Sequence, residues 1–371
     1  MLVRLKALWP DVREALVPWT TGRMLLAVSM LAARLSADRL LGPGAPRPVP
    51  LRQGLFAWDG AWYRAIAEHG YRGLPVESSR FFPGFPLAGR LLAPLFLGRT
   101  DVALLVVANG CGLVVLVLVA RLARRELGER VAAIAPWVVT LAPSAFVLAL
   151  GYAESMYLAL ALACLMSSRS RAWKWVALWG MLAALTRPTG ALLALAVGVE
   201  ATREWSTARA EERVWRAIAT AAPIAGFGAF IAYAATLSGG WTAPLRVQSQ
   251  LRGGVVEPVS HLARSVGDVV TPSHFGDGLH APFGLAMVVL VVVAWRKLPA
   301  SFALFSTAVI VVSLSAGNLN SIERYGLNAI PLVLAMAALV RRYRLEVVVT
   351  ALAAGVLTAV ATLAFIGSYV P

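Results

Sequence analysis

Long apolar runs broken by short basic loops make up most of the chain. Runs near 22–41, 102–120, 131–149, 152–168, 173–186, 189–200, 214–237, 282–296, 299–316, 325–340 and 345–367 carry few charges. Against a hydrocarbon core of about 30 Å and a rise of about 1.5 Å per residue, they predict about eleven membrane segments. The runs are continuously apolar rather than alternating, so helices are expected and not barrel strands. Ahead of the first run, Leu2, Leu5, Leu8, Trp9, Val12, Leu16 and Trp19 recur at helical spacing, with Arg4, Lys6 and Arg13 between them. This predicts an interfacial amphipathic helix over 1–20, lying on the inner leaflet and broken at Pro10. Segment 42–100 is polar and Pro-rich, and it predicts short amphipathic pieces instead of a span. Segment 238–281 is the other long loop and reads as irregular. The expectation is an all-α polytopic membrane protein forming one integral domain over 1–371.

The pair 173–186 and 189–200 departs from that pattern. Basic residues flank both outer ends, so the pair enters and returns on one side. Each limb is about 18–21 Å long at 1.5 Å per residue, short of a 30 Å core. The apex, Thr186-Arg187-Pro188-Thr189-Gly190, then holds Arg187 below the surface, where an unpaired cation is costly. An anion is expected beside it, either Glu154 or a ligand phosphate.

Charge sets the orientation. Lys and Arg crowd 121–130, 169–174, 203–216 and 341–344, with a smaller group at Arg296 and Lys297. Positive loops face the cytoplasm, so the N-terminus is expected inside. Segments 42–100 and 238–281 and the turns near 150–154 and 317–324 are expected outside. Hydrophobic residues are 59% of 371 and charged residues 14%, well below the roughly 25% of soluble domains. The net charge of +15 is read as loop charge meeting anionic lipid. No loop is large enough for a basic nucleic-acid domain. Cys111 and Cys164 fall inside apolar runs and read as small core residues. No cleaved signal peptide is expected.

The unusual polar residues gather on the outer side. Asp59, Glu68, His69 and Arg80 lie in 42–100; Glu154 follows Gly151-Tyr152-Ala153; Arg187 caps the hairpin. Gln248 and Arg252 lie in the second loop, and Glu323 and Arg324 open the tenth run. Asp59 sits in Trp58-Asp59-Gly60-Ala61-Trp62-Tyr63, a carboxylate framed by aromatic faces that suit a sugar or a lipid. It has two readings, a general base or the N-cap of a helix over 60–69. Glu154 reads either as a ligand contact or as a helix-start acid. Arg324 and Glu323 read either as site residues or as a snorkelling pair. His69 reads as an interfacial helix-end residue. His274, Asp277 and His280 have a metal-like spacing, but in a Gly-rich loop and not on a helix face. No metal or other cofactor is expected, and no nucleotide-binding fingerprint occurs.

Phe56-Ala57-Trp58-Asp59-Gly60-Ala61-Trp62-Tyr63, followed by Ile66-Ala67 and Gly70-Tyr71, resembles the first-loop motif of bacterial relatives of PIG-V, the second mannosyltransferase of GPI-anchor synthesis. Further matches follow in order: Phe81-Phe82-Pro83-Gly84-Phe85-Pro86, Ala142-Pro143-Ser144 through Tyr152-Ala153-Glu154-Ser155, Leu185-Thr186-Arg187-Pro188-Thr189-Gly190, and Arg324-Tyr325. The resemblance implies a GT-C glycosyltransferase of the plasma membrane. Its donor would be a polyprenyl-phosphate-mannose, its acceptor a lipid or glycan, and its active site extracytoplasmic. Asp59 matches the family's acidic first-loop position. Arg187, Arg324 and Arg80 are then candidates for the donor phosphate. Trp58, Trp62, Tyr63, Glu154, Gln248 and Arg252 are candidates for sugar or lipid contact. The alternative is a transporter or flippase of lipid-linked sugars. Transporters commonly show two repeated halves, and no such repeat is visible here.

Overall fold

The computed structural model describes residues 2–42, 46–238, 240–269 and 275–371. Among them the chain is helical, with one isolated bridge between Val255 and Ala316. In order, the helices are α1 (Leu2–Leu41), α2 (Val49–Gln53), α3 (Asp59–His69), α4 (Gly84–Leu92), α5 (Thr100–Leu127), α6 (Glu129–Ala132), α7 (Ala135–Thr140), α8 (Glu154–Arg169), α9 (Trp173–Thr186) and α10 (Leu193–Thr202). There follow α11 (Ala210–Ser238), α12 (Ala243–Arg252), α13 (Pro258–Asp268), α14 (Phe275–Gly278), α15 (Ala281–Lys297), α16 (Ala300–Leu314), α17 (Ile322–Asn328), α18 (Pro331–Arg342) and α19 (Glu346–Ile366). Among the described residues, four stretches are long and apolar enough to cross a membrane: Trp9–Leu40, Thr100–Leu127, Ala210–Leu237 and Glu346–Ile366. The pair α17 and α18, bent by 91°, makes a fifth if it counts as one span. The chain is therefore a multi-pass membrane protein. The other predicted segments are shorter helices, and 131–149 breaks into α6, α7 and a 3-10 turn at Ala145–Ala149.

Two boundaries differ from the sequence reading. No break occurs at Pro10; α1 runs unbroken through Pro10 and Pro18, so 1–20 continues into the first span. Side chains clamp its length to α5 and override the proline penalty. Asp11 accepts from Arg121 Nε at 2.6 Å and from Arg124 at 3.0 Å. Further along, the Trp19 indole donates to the Asn109 carbonyl at 3.0 Å, and Arg23 Nε donates to the Asn109 side chain at 3.0 Å. The second correction is that the described residues of 238–281 are largely helical, as α12, α13 and α14. Its start signal was present in Glu257-Pro258: the Glu257 side chain caps α13, accepting from Val259 N–H at 2.9 Å and Ser260 N–H at 2.6 Å, with Pro258 at the first helical position.

Between 173 and 202 the chain forms two short helices joined by a turn. α9 has 14 residues, Arg187 is extended, and the chain returns through a turn at Pro188–Leu192 into α10. The residue before a proline disfavours the helical region, which ends α9 here. Small residues let α11 press against α9. A Cβ at Gly226 would lie 2.6 Å from the Met181 carbonyl, and Gly180 faces the Pro223 ring.

The two ends of the bundle differ in chemistry. At one end the basic loops join through carboxylates: Arg124 with Glu129, Arg169 with Glu126 and Glu200, Arg171 with Glu204, Arg216 with Glu212. Helix α8 has 16 residues, with Arg169 at this end and Glu154 about 22 Å away at the other, at 1.5 Å per residue. Arg187 likewise sits at the far end of α9.

At Gly190 a Cβ would come within 2.4 Å of Ala184 N and 2.5 Å of Ala183 C, backbone atoms that cannot yield. Gly190→Ala should therefore destabilise by about 1–3 kcal/mol or more. Gly228→Ala, where nothing lies within 4 Å, should not. Thermal unfolding in detergent compares the two; equal midpoints would contradict the packing.

Candidate active site

The segment between α1 and α5 folds around Asp59. Gly151 N–H donates to the Leu55 carbonyl at 2.9 Å, tying this segment to the turn before α8. Gly151 has to be glycine, because a Cβ there would sit 2.4 Å from the Phe56 ring. Trp58 then takes φ 57°, ψ −122°, a conformation costing of order 1–3 kcal/mol in a bulky residue. It is held there from two sides. Its N–H donates to Gln53 Oε1 at 3.3 Å, and its indole N–H donates to the Ala364 carbonyl at the end of α19 at 3.0 Å.

Asp59 opens α3, but its carboxylate does not cap the helix. Trp58 occupies the cap position without a side-chain bond, and Asp59 N–H donates to the Tyr152 hydroxyl at 3.1 Å. The carboxylate instead meets arginines. Arg324 donates to Oδ2 at 2.5 Å, and Arg80 stands 4.0 Å from Oδ1. Burial pushes the Asp59 carboxyl upward, but Arg324 and Arg80 outweigh it and hold the group below the ordinary carboxylate value. Asp59 is thus ionised at neutral pH.

The charges continue inward. Arg324 Nε lies 3.5 Å from Glu154 Oε1, and Arg187 pairs with the same carboxylate oxygen. Glu154 is fully buried, and Arg187 and Arg324 nearly so. The order Asp59, Arg324, Glu154, Arg187 links four segments far apart in sequence. The expected anion beside Arg187 is Glu154.

An open cavity of about 790 Å³ leads to this chain of charges, lined by Asp59, Trp58, Trp62, Arg80, the stretch Pro48 to Gln53, and Ile366 and Gly367 after α19. Trp62 stacks on Phe81 at 5.8 Å, and the Arg80 guanidinium lies over the same ring at 4.8 Å. The buried Nε of Arg80 has no hydrogen-bond partner among the described residues.

Other candidates stand elsewhere. Tyr63 is buried in an aromatic cluster, its ring 5.2 Å from Phe81 and 5.4 Å from Phe85, because its position on α3 faces the protein and not the cavity. Glu154 cannot touch a sugar from its fully buried position. Arg252 donates to the Asn320 carbonyl at 2.6 Å and to the Tyr325 hydroxyl. Gln248 is half-buried on α12, which packs against the turn Val76–Arg80 that carries Arg80. Glu68 pairs with Arg64 at 2.8 Å, and His69 is 68% exposed at the end of α3. His274 lies outside the described residues. Asp277 and His280 turn to different partners, Asp277 to His261 at 3.3 Å and His280 to Glu323 at 2.8 Å. Sequence reasoning missed Tyr152, Tyr325 and the end of α19. The two tyrosines stood in the motifs with Glu154 and Arg324; the run 345–367 predicted α19, but nothing in the sequence marked its end as part of the site.

Removing Arg187 leaves the buried Glu154 carboxylate half-paired. Arg187→Ala should cost about 3–5 kcal/mol, read as a lower unfolding midpoint. A midpoint unchanged from wild type would show that the pair carries no such weight.

No protein-family model matches the chain, and no curated protein matches it. Solved structures similar to it include ArnT from Cupriavidus metallidurans bound to undecaprenyl phosphate, at 16% identity and a TM-score of 0.47, covering 85% of this chain and 59% of that one. Another is the Archaeoglobus fulgidus oligosaccharyltransferase in complex with Zn and sulfate, at 16% identity and TM-score 0.43, covering 92% and 53%. A third is archaeal oligosaccharyltransferase AglB from Archaeoglobus fulgidus with an inhibitory peptide and a dolichol-phosphate, at 15% and 0.41, covering 95% and 56%. The chain thus spans between half and three fifths of the length of these proteins.

Proposed function

We propose that this chain is a GT-C-type glycosyltransferase that moves a mannosyl residue from a polyprenyl-phosphate donor to a hydroxyl of a lipid or glycan acceptor. The carrying observation is an ionised carboxylate, Asp59, on the wall of an open aromatic cavity and faced by Arg324 and Arg80. The PIG-V-like motif around Asp59 supports the same reading. The basic loops lie at the opposite end of α8, which favours an outer-face site in the plasma membrane.

In the proposed reaction the acceptor oxygen attacks the anomeric carbon, and its proton passes to Asp59. The bond from that carbon to the phosphate oxygen breaks, and its electron pair stays on the phosphate. Attack opposite the leaving group inverts the anomeric centre, so a β-linked donor gives an α-mannoside. Arg324 and Arg80 stabilise the charge that grows on the leaving phosphate. Arg187, engaged by Glu154, acts from behind Arg324. Trp58 and Trp62 offer apolar faces to the sugar or the lipid. No step requires a metal.

Asp59→Asn keeps the side-chain volume and removes the base. With polyprenyl-phosphate-mannose and a total lipid extract as acceptor pool, transfer by the purified variant should fall about 10²–10⁴-fold. Turnover near wild type in a folded Asp59→Asn protein would remove Asp59 from this role.

A further inference from the structure

Resting on the glycosyl-transfer reading, we propose that Glu154 is the positioning residue of this site: it anchors Arg324 from behind, so that the guanidinium can turn from Asp59 to the donor phosphate without losing a carboxylate partner. Asp59 and Glu154 hold opposite sides of one guanidinium. The terminal nitrogen of Arg324 donates to Asp59 Oδ2 at 2.5 Å, whereas its Nε lies 3.5 Å from Glu154 Oε1 as an ion pair without a hydrogen bond. The second oxygen of Glu154 has no hydrogen-bond partner among the described residues, so the carboxylate has acceptor capacity to spare. It is fully buried and does not line the cavity, which excludes direct contact with a sugar.

The chemistry needs such an anchor. A base locked to an arginine at 2.5 Å is a poor proton acceptor, because the guanidinium stabilises its ionised form. If Asp59 were the sole carboxylate on Arg324, turning away would strand a nearly buried cation. Glu154 removes that penalty. A phosphodiester entering beside Arg80 can take over the donors now given to Asp59, and Asp59 is then free to receive the acceptor proton. The charge count fits. The ion-paired chain holds Arg80, Arg187 and Arg324 against Asp59 and Glu154, an excess of one positive charge, which matches one phosphodiester anion.

The groups that face these carboxylates come from several elements. Asp59 meets Arg324 from α17, Arg80 from the turn Val76–Arg80, the field of Arg187 from the hairpin, and the Tyr152 hydroxyl through its own N–H. Glu154 meets Arg187 and Arg324, with Tyr63 of α3 in its field. Removing the Glu154 charge leaves Arg324 to Asp59 alone and makes Asp59 a weaker base.

The test uses the purified full chain as wild type, Glu154→Gln and Glu154→Asp. The first readout is the pH at which Asp59 is half-modified by a water-soluble carbodiimide, followed by mass spectrometry without donor present. Asp59 is 24% exposed and accessible, whereas Glu154 is not. In Glu154→Gln the midpoint should fall by about 1 pH unit, the size of losing one neighbouring charge effect. The second readout is transfer from polyprenyl-phosphate-mannose. Here kcat should fall about 10–100-fold with acceptor KM within about twofold, since proton transfer to Asp59 and the turn of Arg324 onto the phosphate are both touched while the acceptor's own contacts are not. Glu154→Asp keeps the charge but shortens the reach, and it should lie between wild type and Glu154→Gln in both readouts. It carries the test if Glu154→Gln does not fold. An unchanged midpoint and kcat in a folded variant overturns the proposal while leaving the transfer reading standing. A lowered midpoint in a protein whose wild type transfers nothing supports the hold on Asp59 and overturns the transfer reading instead.

Discussion

Arg324 is where the segment between α1 and α5 meets the helical core. Its guanidinium lies between Asp59, at the mouth of α3, and Glu154, at the buried start of α8. Glu154 in turn holds Arg187 at the turn between α9 and α10. Each of these charges would be costly alone at this depth. Together they pair with one another and leave a single positive charge in excess, although Glu154 Oε2 and the Nε atoms of Arg80, Arg187 and Arg324 have no hydrogen-bond partner among the described residues. The helices that carry them, α8, α9 and α17, are fixed at these ends by this requirement as much as by apolar packing.

The cavity follows from a second constraint, the backbone at Trp58. Its positive φ is an outlier for so large a residue, and hydrogen bonds to Gln53 and to the end of α19 hold it. That conformation starts α3 so that Asp59 and Trp62 face the cavity while Tyr63 turns inward to Phe81 and Phe85. Strain of this kind persists where surrounding structure over-determines it, often at functional sites. The end of the chain thereby becomes a wall of the site that begins near residue 48.

Much of this arrangement could be read in the sequence, for definite physical reasons. The turn at Arg187-Pro188 was legible, because the residue before a proline disfavours the helical region and ends α9 there. The cost of burying Arg187 called for an anion, with Glu154 among the candidates. Asp59 stood out because aromatic residues frame it. Other features depend on long-range contacts that composition does not record. Pro10 looked like a helix breaker, yet Asp11 clamps α1 to Arg121 and Arg124 on α5. The role of Glu154 could not be separated from ligand contact, since a carboxylate beside Gly151-Tyr152-Ala153 reads the same exposed or buried. Tyr63 looked like Trp62, and only the rotation of α3 distinguishes them. The helix start at Glu257-Pro258 is legible, as an acidic cap followed by a proline at the first helical position.

The central claim is that an arginine-faced carboxylate at the end of the bundle opposite the basic loops draws its sugar from a lipid phosphate. The most direct measurement offers the purified protein either polyprenyl-phosphate-mannose or GDP-mannose, each labelled in the sugar, with the same lipid extract as acceptor. The account predicts transfer from the polyprenyl phosphate donor and none from GDP-mannose alone. Transfer from GDP-mannose, without a lipid-linked intermediate, would contradict it.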